Sequence, residues 1–425
     1  MKIEDLHKIF LRYPSVCTDT RKLLKNDIFF ALKGENFNGN EYAKKAIENG
    51  ATYAIIDEER FFVDDRTIIV KNALTTLQRL ANFHRNYSKA RVIALTGSNG
   101  KTTTKELINA VLSKKYRTIA TIGNLNNHIG VPLTLLSIKK DTEIAIVEMG
   151  ANHQKEIEFL SGLTEPDFGY ITNFGKAHLE GFGGVKGVIK GKSELYTHLI
   201  AENKGIFMNA DDPIQKEKLA SYINKYGFST SDPSFTIIKM PKANPFVEIE
   251  IGQTHISTKL IGSYNFPNCC AAILMGKYFN VPDDMIKIGL ESYLPDNNRS
   301  QVIEKKGHKI ILDAYNANPT SMKAALENFS QIEGDRKCLF LGDMFELGEQ
   351  AKEEHQNIAE LAQALELNNT CLIGENFYEV KSDFKKFKTY NDLKDYLRSE
   401  NIPKNSSMLI KGSRGMALER ILEIL

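Results

Sequence analysis

The sequence predicts an α/β protein of three domains. These are a small mixed α/β N-terminal domain, a central phosphate-loop (P-loop) domain with a doubly wound parallel sheet, and a C-terminal Rossmann-like domain. The chain has 425 residues, which suits two to four domains of about 100–200 residues each. Short apolar runs typical of buried strands alternate with helical patterns along most of its length. One of these runs ends in a glycine-rich turn that is followed by Lys-Thr and a helical pattern.

The N-terminal domain is expected to comprise residues 1–88. Two segments rich in aromatic and β-branched residues, 27–32 and 51–56, are typical of strands. Between them, residues 41–50 have the pattern of a short helix that ends in glycine. A helical pattern over residues 75–87 leads to the next domain.

The central domain is expected to comprise residues 89–296. A buried strand pattern at 91–97 precedes an amphipathic helix pattern at 102–116, which is typical of the start of a βαβ unit. A polar stretch, residues 294–300, marks its end. Ligands of open α/β sheets bind at the carboxyl ends of the strands, so functional residues are expected there. Further buried strand patterns lie at 143–147, 168–172 and 204–209.

The C-terminal domain is expected to comprise residues 297–425 and to be a second, smaller doubly wound unit. Its strand patterns alternate with helical stretches. A cleft between this domain and the central one is the natural place for a substrate of several parts. The strand patterns lie at 309–313, 337–342, 370–374 and 407–412.

Composition excludes several classes of protein. Lys and Arg total 55 against 53 for Asp and Glu, and this formal net charge of +2 argues against a general nucleic-acid binder. No apolar run approaches the roughly 20 residues of a membrane span. The first ten residues, MKIEDLHKIF, lack the apolar core of a secretory signal. No two of the five cysteines form a C-x-x-C pair, so the sequence predicts neither a zinc site nor a disulfide framework. This use of cysteine is typical of a cytoplasmic protein.

The strongest single motif is Thr-Gly-Ser-Asn-Gly-Lys-Thr-Thr at residues 96–103. Glycines let backbone N–H groups approach phosphate oxygens, and the helix N-terminus adds a positive dipole. Lysine reaches the outer phosphates and the threonine hydroxyl can ligate Mg²⁺. Leu95 stands where the longer P-loop has its first glycine. The candidate nucleotide-binding residues are Gly97, Ser98, Asn99, Gly100, Lys101, Thr102 and Thr103.

Three further side chains are candidates for chemistry. Glu148 follows an apolar strand pattern and is either a Mg²⁺ ligand or a solvated strand-end acid. His178 follows another strand and is either a metal ligand or a structural histidine. Lys192 lies near the start of a predicted helix, and composition alone predicts an exposed lysine. A P-loop by itself fits kinases, nucleotide switches and ligases alike.

These motifs together resemble the Mur ligases, ATP-dependent enzymes that form amide bonds in bacterial cell-wall synthesis. Besides the P-loop, the resemblance rests on residues 148–153, 172–179 and 313–319, which occur in the family's order. Within the family, the chain is most similar to the members that add D-alanyl-D-alanine. The segments that carry this closer similarity are 126–134, 341–348 and 411–416, together with the absence of the Asp-Asn-Pro-Arg tetrad of the diaminopimelate-adding members.

The N-terminal motifs resemble the uridine-nucleotide-binding domain of the same family. They are Thr-Asp-Thr-Arg at 18–21 and Gly-Glu-Asn-Phe-Asn-Gly-Asn at 34–40. The family usually has Asp and His where this chain has Asn38 and Asn40, so residue roles in that loop do not carry over directly. The substrate-binding residues that the resemblance implies are Thr20, Arg21, Asn126 and Asn127.

The resemblance also implies roles around the nucleotide. Lys101 and its loop would hold the phosphates of ATP, and Thr102 with Glu148 a first Mg²⁺. His178 would help to hold a second Mg²⁺, together with Lys192 carbamylated by CO₂, because a carbamate offers anionic oxygens that an ammonium lacks. The catalytic residues would thus be Lys101, His178 and Lys192. The adenine, ribose and phosphate positions correspond to Asn265, Asn268, Arg299, Asp313 and Asn316.

The implied reaction joins D-alanyl-D-alanine to UDP-N-acetylmuramoyl-tripeptide through an acyl phosphate, in the cytoplasm and by a monomer. It involves neither nucleic acid nor membrane insertion. The alternatives are an amino-acid-adding Mur ligase, a folate-polyglutamate synthetase, a P-loop nucleotide switch and a small-molecule kinase. Residues 1–88 argue against the folate enzyme, which has no nucleotide-sugar domain.

Overall fold

The computed structural model describes residues 1–296, 298–334, 336–399 and 405–425. Asn297, within the polar stretch expected to end the central domain, lies outside them. The predicted three-domain α/β fold is confirmed, with one main sheet in each domain. Across the residues that the structure describes, every helix is too short or too polar to traverse a lipid bilayer.

The N-terminal domain is built on a four-stranded parallel sheet in the order β1-β2-β5-β6, with a small antiparallel hairpin of β3 and β4 beside it. The strands predicted at 27–32 and 51–56 are confirmed as β2 and β5. The helices are α1 (Ile3–Arg12), α2 (Ala43–Glu48) and α3 (Ala73–Tyr87), and the strands are β1 (Val16–Cys17), β2 (Ile28–Phe30), β3 (Lys33–Gly34), β4 (Phe37–Asn38), β5 (Tyr53–Ile56) and β6 (Thr67–Ile69).

The central domain carries a seven-stranded sheet, all parallel, in the order β13-β12-β11-β10-β7-β9-β8. Its middle strands are wholly buried apolar runs, as expected of a sheet covered on both faces. The strands are β7 (Arg91–Thr96), β8 (Thr118–Ala120), β9 (Ile144–Glu148), β10 (Phe168–Ile171), β11 (Gly205–Asn209), β12 (Lys225–Ser229) and β13 (Thr236–Ile237). The helices are α4 (Lys101–Leu112), α5 (Gly130–Leu136), α6 (Glu156–Thr164), α7 (Leu179–Phe182), α8 (Val185–Lys192), α9 (Glu194–Ala201) and α10 (Pro213–Lys218).

A three-stranded antiparallel sheet, which the sequence analysis does not predict, follows the parallel one. In its middle strand, the buried residues alternate with glutamates, so no continuous apolar run is present. Two helices then return to pack beside α4. The elements are β14 (Lys239–Lys242), β15 (Phe246–Ile251), β16 (Thr254–Ile261), α11 (Phe266–Tyr278) and α12 (Asp283–Ser292).

The C-terminal domain has a six-stranded sheet in the order β17-β18-β22-β19-β20-β21, in which only the pair β17–β18 is antiparallel within the described residues. Its four predicted strands are confirmed. The strands are β17 (Gln301–Lys305), β18 (His308–Asp313), β19 (Lys337–Gly342), β20 (Thr370–Ile373), β21 (Lys385–Phe387) and β22 (Ser407–Lys411), and the helices are α13 (Pro319–Ser330), α14 (Ala351–Ala364), α15 (Glu375–Tyr378), α16 (Tyr390–Ser399) and α17 (Ile421–Ile424).

A buried histidine pair links the first helix to the central domain. His7 Nε2 lies 3.0 Å from His84 Nδ1, and His84 Nε2 lies 2.8 Å from the Ile138 carbonyl oxygen. A carbonyl only accepts, so His84 donates from Nε2 and accepts from His7 at Nδ1. Burial, and then the neighbouring His84, lower the pKa of His7 to about 4.

This pair is expected to make the protein acid-sensitive. His7 has a folded pKa near 4 and an unfolded pKa near 6.5, so the unfolded chain binds the extra proton and stability falls as pH drops between those values. The melting temperature of His7→Gln should therefore fall less steeply than that of the wild type from pH 6.5 to 4.5. His255→Gln, on the exposed face of β16, serves as the control, and parallel wild-type and His7→Gln profiles would contradict the assignment.

Candidate active site

A cavity of about 780 Å³ lies between the central and C-terminal domains at the carboxyl ends of their strands. It brings together most of the residues that the sequence analysis selects. Gly97, Lys192, Thr20 and Arg21 are not among its lining residues. The selected residues that do line it are Ser98, Asn99, Gly100, Lys101, Thr102, Thr103, Asn126, Asn127, Glu148, His178, Asn265, Asn268, Arg299, Asp313 and Asn316.

The P-loop connects the end of β7 to the start of α4, and two of its residues must be glycine. Gly97 and Gly100 have φ values of 142° and 77°, which disfavour any side chain. A Cβ at Gly97 would lie 1.9 Å from Thr172 Oγ1, and one at Gly100 would lie 2.6 Å from Asn268 Oδ1. Lys101 Nζ donates to the Gly97 carbonyl at 2.7 Å, so the ammonium lies over the loop where phosphates would bind.

The loop after β10 holds the P-loop in this shape. Asn99 N–H donates to Asn173 Oδ1 at 3.0 Å, and Thr172 Oγ1 donates to the Asn99 carbonyl at 2.6 Å. Ser98 Oγ donates to the Gly175 carbonyl at 2.8 Å. Thr172, Asn173 and Gly175 belong to a motif that the sequence analysis singles out, yet it gives them no role.

Glu148, at the end of β9, has one oxygen bound and one free. Its Oε1 accepts from Asn126 Nδ2 at 2.8 Å and from Thr102 Oγ1 at 3.3 Å. Among the described residues no donor hydrogen-bonds its buried Oε2, and Lys105 Nζ lies 4.0 Å from it. The structure thus places Asn126, expected to bind substrate, on this carboxylate. Hydroxyl and free carboxylate oxygens side by side are the donors that Mg²⁺ prefers.

The described residues contain no group of three or more His, Cys, Asp or Glu side chains placed to hold a metal ion. A Mg²⁺ ion at Thr102 and Glu148 would therefore take its remaining ligands from nucleotide phosphates and water, which is usual for this ion.

His178 lies at the cavity wall and contacts the C-terminal domain. Its backbone is left-handed, with φ 53°, and its Nδ1 lies 2.5 Å from Glu346 Oε2. This contact with His178 lowers the pKa of Glu346. The sequence analysis does not select Glu346, because only the fold brings it to the histidine.

Lys192 is not the exposed helix lysine that composition predicts. It ends α8 and lies near the start of the next helix, as predicted, because α9 begins at Glu194, but it is fully buried. Its Nζ donates to the Ala151 carbonyl at 3.0 Å and lies 4.9 Å from the centre of the Phe182 ring. Burial first, and then the Lys101 charge, lower its pKa well below the usual lysine value. A lowered pKa favours the uncharged amine, the form of lysine that can act as a nucleophile.

Asn265 and Asn268 form a linked pair at the start of α11. Asn268 Nδ2 donates to Asn265 Oδ1 at 2.9 Å, and Asn265 Nδ2 donates to the Ile261 carbonyl at 2.8 Å. Thr104 Oγ1, on the P-loop helix, donates to Asn268 Oδ1 at 3.0 Å. Both asparagines are buried at the cavity wall beside the P-loop, as a role next to the nucleotide requires.

The C-terminal domain contributes charged groups to the opposite wall. The Arg299 guanidinium lies 3.6 Å from the centre of the Tyr315 ring, a cation–π contact that orients it. Asp313 Oδ2 accepts from the buried Lys411 Nζ at 2.5 Å. Lys411 also donates to the Asn316 carbonyl at 3.4 Å, which ties the three residues into one unit.

Thr20 and Arg21 lie in the N-terminal domain, away from the cavity lining. Arg21 is exposed and paired with Asp19 at 2.8 Å, and its hydrogen bonds lower the pKa of Asp19 to about 2. Asn38 and Asn40, which replace the usual Asp and His of the family, are linked by hydrogen bonds. Asn40 Nδ2 donates to Asn38 Oδ1 at 2.8 Å and to Asp57 Oδ1 at 2.9 Å.

Comparison with known proteins is consistent along the whole chain. Models of the Mur ligase family match in succession: the catalytic domain over residues 12–85, the middle domain over 95–276 and the glutamate ligase domain over 298–414. The UDP-N-acetylmuramoyl-tripeptide–D-alanyl-D-alanine ligase of Bacillus subtilis is 36% identical over 96% of this chain and 92% of its own.

Solved structures agree with these matches. A crystal structure of MurF from Acinetobacter baumannii superposes with a TM-score of 0.85 at 31% identity, covering 96% of this chain and 92% of that one. MurF from Thermotoga maritima in complex with ADP also gives 0.85, at 28% identity and 97% of both chains.

Replacing Lys101 with Ala should reduce ATP-dependent turnover by about 100-fold or more, because the ammonium that offsets phosphate charge is lost. Steady-state assays at saturating ATP, with calorimetric ADP binding, measure the effect. Lys114→Ala, an exposed lysine just beyond the same helix, is the matched control. A near-wild-type rate for Lys101→Ala would refute the phosphate role.

Proposed function

Since this chain belongs to the Mur ligase family, we propose that it joins D-alanyl-D-alanine to UDP-N-acetylmuramoyl-tripeptide, with ATP converted to ADP and phosphate. It is an ATP-dependent ligase that forms an amide bond. The observation that carries the proposal is the cavity itself, in which the P-loop and Glu148 face Arg299 and Asp313 of the other domain. We assign residues 1–88 to the UDP-sugar, 89–296 to ATP and 297–425 to closure of the site.

Activation of the substrate comes first. A free carboxylate is a poor electrophile, so the terminal carboxylate of the tripeptide attacks the γ-phosphate of ATP and forms an acyl phosphate and ADP. Several anionic oxygens meet in that step. Lys101, over the P-loop, and Arg299, across the cavity, offset their repulsion and stabilise the transferring group.

Amide formation follows. The amine of D-alanyl-D-alanine attacks the acyl carbon, a C–N bond forms, the C–O bond to phosphate breaks, and the amine loses a proton. The acyl phosphate hydrolyses readily, so water must be kept out. The C-terminal domain lines the side of the cavity opposite the P-loop, where closer approach of the two domains would reduce the access of water.

The donor set fits Mg²⁺, which supplies charge neutralisation at the phosphates when bound. Thr102 and Glu148 would hold a first ion, because the threonine hydroxyl lies 3.3 Å from Glu148 Oε1 and the other carboxylate oxygen has no donor among the described residues. His178 and a carbamylated Lys192 would hold a second.

Carbamylation of Lys192 is supported by the state of its amine. An uncharged buried nitrogen attacks CO₂, a C–N bond forms, and one proton leaves to give a carbamate anion. The lowered pKa supplies the unprotonated nitrogen that this addition requires. The carbamate would act as a long carboxylate at this position.

The enzyme is proposed to act as a cytoplasmic monomer. The competing functions are an amino-acid-adding Mur ligase and a nucleotide switch. The first would accept a free amino acid, and the second would form ADP without a new amide.

Lys192→Ala should be nearly inactive, with a rate reduced by about 100-fold or more, because an anionic ligand is lost. Small carboxylates added to the assay should restore part of the rate by replacing the carbamate. Lys190→Ala, an exposed lysine on the same helix, is the control. An undiminished rate in Lys192→Ala would show that no carbamate is needed.

The acceptor assignment is checked by a dipeptide screen. Mass spectrometry should detect UDP-N-acetylmuramoyl-pentapeptide with D-alanyl-D-alanine as the acceptor, and ADP release should require the tripeptide nucleotide. Turnover with UDP-N-acetylmuramic acid that lacks the tripeptide, or a product with free amino acids instead, would contradict the assignment.

A further inference from the structure

One ion pair crosses from the central domain to the C-terminal domain beside the cavity. Lys176 Nζ donates to Glu354 Oε1 at 2.6 Å. The lysine side chain is 46% exposed and the glutamate side chain 8% exposed, so the carboxylate is nearly buried. Neither residue lines the cavity, and they are therefore not placed to touch a substrate held there.

The pair is joined to the P-loop through the chain itself. Lys176 follows Gly175, whose carbonyl accepts from Ser98 of the P-loop at 2.8 Å. The backbone N–H of Lys176 donates to Thr320 Oγ1, in the first turn of α13, at 2.9 Å. One residue thus contacts two helices of the C-terminal domain, α13 through its backbone and α14 through its side chain.

A second contact lies beside it. Asn318, the residue that caps α13, donates from Nδ2 to Asn99 Oδ1 of the P-loop at 2.7 Å. Residues 313–317 precede this cap and carry Asp313 and Asn316 into the cavity. The position of α13 against the central domain therefore fixes the position of the charged groups that face the P-loop.

From these contacts, we infer that Lys176 and Glu354 are positioning residues that hold the C-terminal domain closed over the nucleotide site. The inference rests on the proposed function only for its consequence in turnover; the closed arrangement is a property of the chain. The carboxylate of Glu354 is nearly buried, and the Lys176 ammonium offsets the cost of burying it. Opening of the domains would separate the two charges, so the pair favours the closed state.

The consequence is a change in apparent nucleotide affinity rather than in chemistry. If the pair is broken, a smaller fraction of molecules is closed before the nucleotide binds, and the apparent Kd rises in inverse proportion to that fraction. Saturating nucleotide then restores closure. A role in folding alone would instead lower the amount of active enzyme at unchanged KM.

The test is a double-mutant cycle on the full chain with Lys176→Met, Glu354→Gln and the double variant. Calorimetry with ADP and Mg²⁺ should show Kd raised about five- to tenfold in each single variant, and KM for ATP should rise equally with kcat within about twofold. The double variant should be no weaker than either single one, because the two residues act as one unit.

Lys352→Met and Glu353→Gln are matched controls, since both residues are exposed neighbours of Glu354 on α14. Small-angle X-ray scattering without nucleotide should give a larger radius of gyration for the charge reversal Lys176→Glu than for the wild type and both controls. Melting temperatures identify any variant that fails to fold, in which case Lys176→Met, changed at a half-exposed position, remains informative.

Wild-type ADP affinity and radius of gyration in the Lys176 variants would overturn the inference, and so would additive losses in the cycle. Neither readout requires ligation. If the wild type formed no amide while the variants still shifted in scattering and ADP binding, the proposed function would fail and the positioning role would stand.

Discussion

The loop that follows β10 is the support on which the rest of the site depends. Through Thr172, Asn173 and Gly175 it holds the P-loop in a shape that exposes backbone N–H groups to phosphate. Its next residues meet the C-terminal domain. A parallel sheet makes this possible because it brings the ends of β7 and β10, neighbours in space but about 75 residues apart in sequence, to one edge. The same short segment therefore determines both the shape of the phosphate site and the position of the C-terminal domain over it.

Charge around this support is concentrated in places closed to water. Lys105 is fully buried, donates to the Thr121 carbonyl at 2.5 Å and pairs with Glu106 at 2.9 Å. Glu148 is equally buried. Burying an unpaired ion costs several kcal/mol of folding free energy. That cost is a large fraction of the net stability of a domain. Lys105 is offset within the protein by Glu106 and, at 4.0 Å, by Glu148.

Much of this arrangement could be predicted from the sequence, and the limits have physical causes. The P-loop and the strands around it were predictable because glycine spacing and continuous apolar runs are local signals. The hairpin of β15 and β16 was not predicted, although alternation of Ile with Glu is also a strand signal, because it differs from the continuous apolar runs that mark the parallel sheets. Likewise, Lys192 has the local composition of an exposed lysine. Its burial comes from Phe182 and Ala151, which only the folded chain places beside it. The pairing of Glu346 with His178 spans two domains and has no local signature at all.

Gly175 stands at the junction of these parts. A methyl group there would lie 2.8 Å from Asn99 Nδ2 and 3.1 Å from Thr320 Oγ1, one atom in each domain. Any larger residue would push the central and C-terminal domains apart at the active site. The distance over which a phosphoryl group is transferred would then increase. The missing side chain at this position thus allows the two domains to approach each other as closely as they do here.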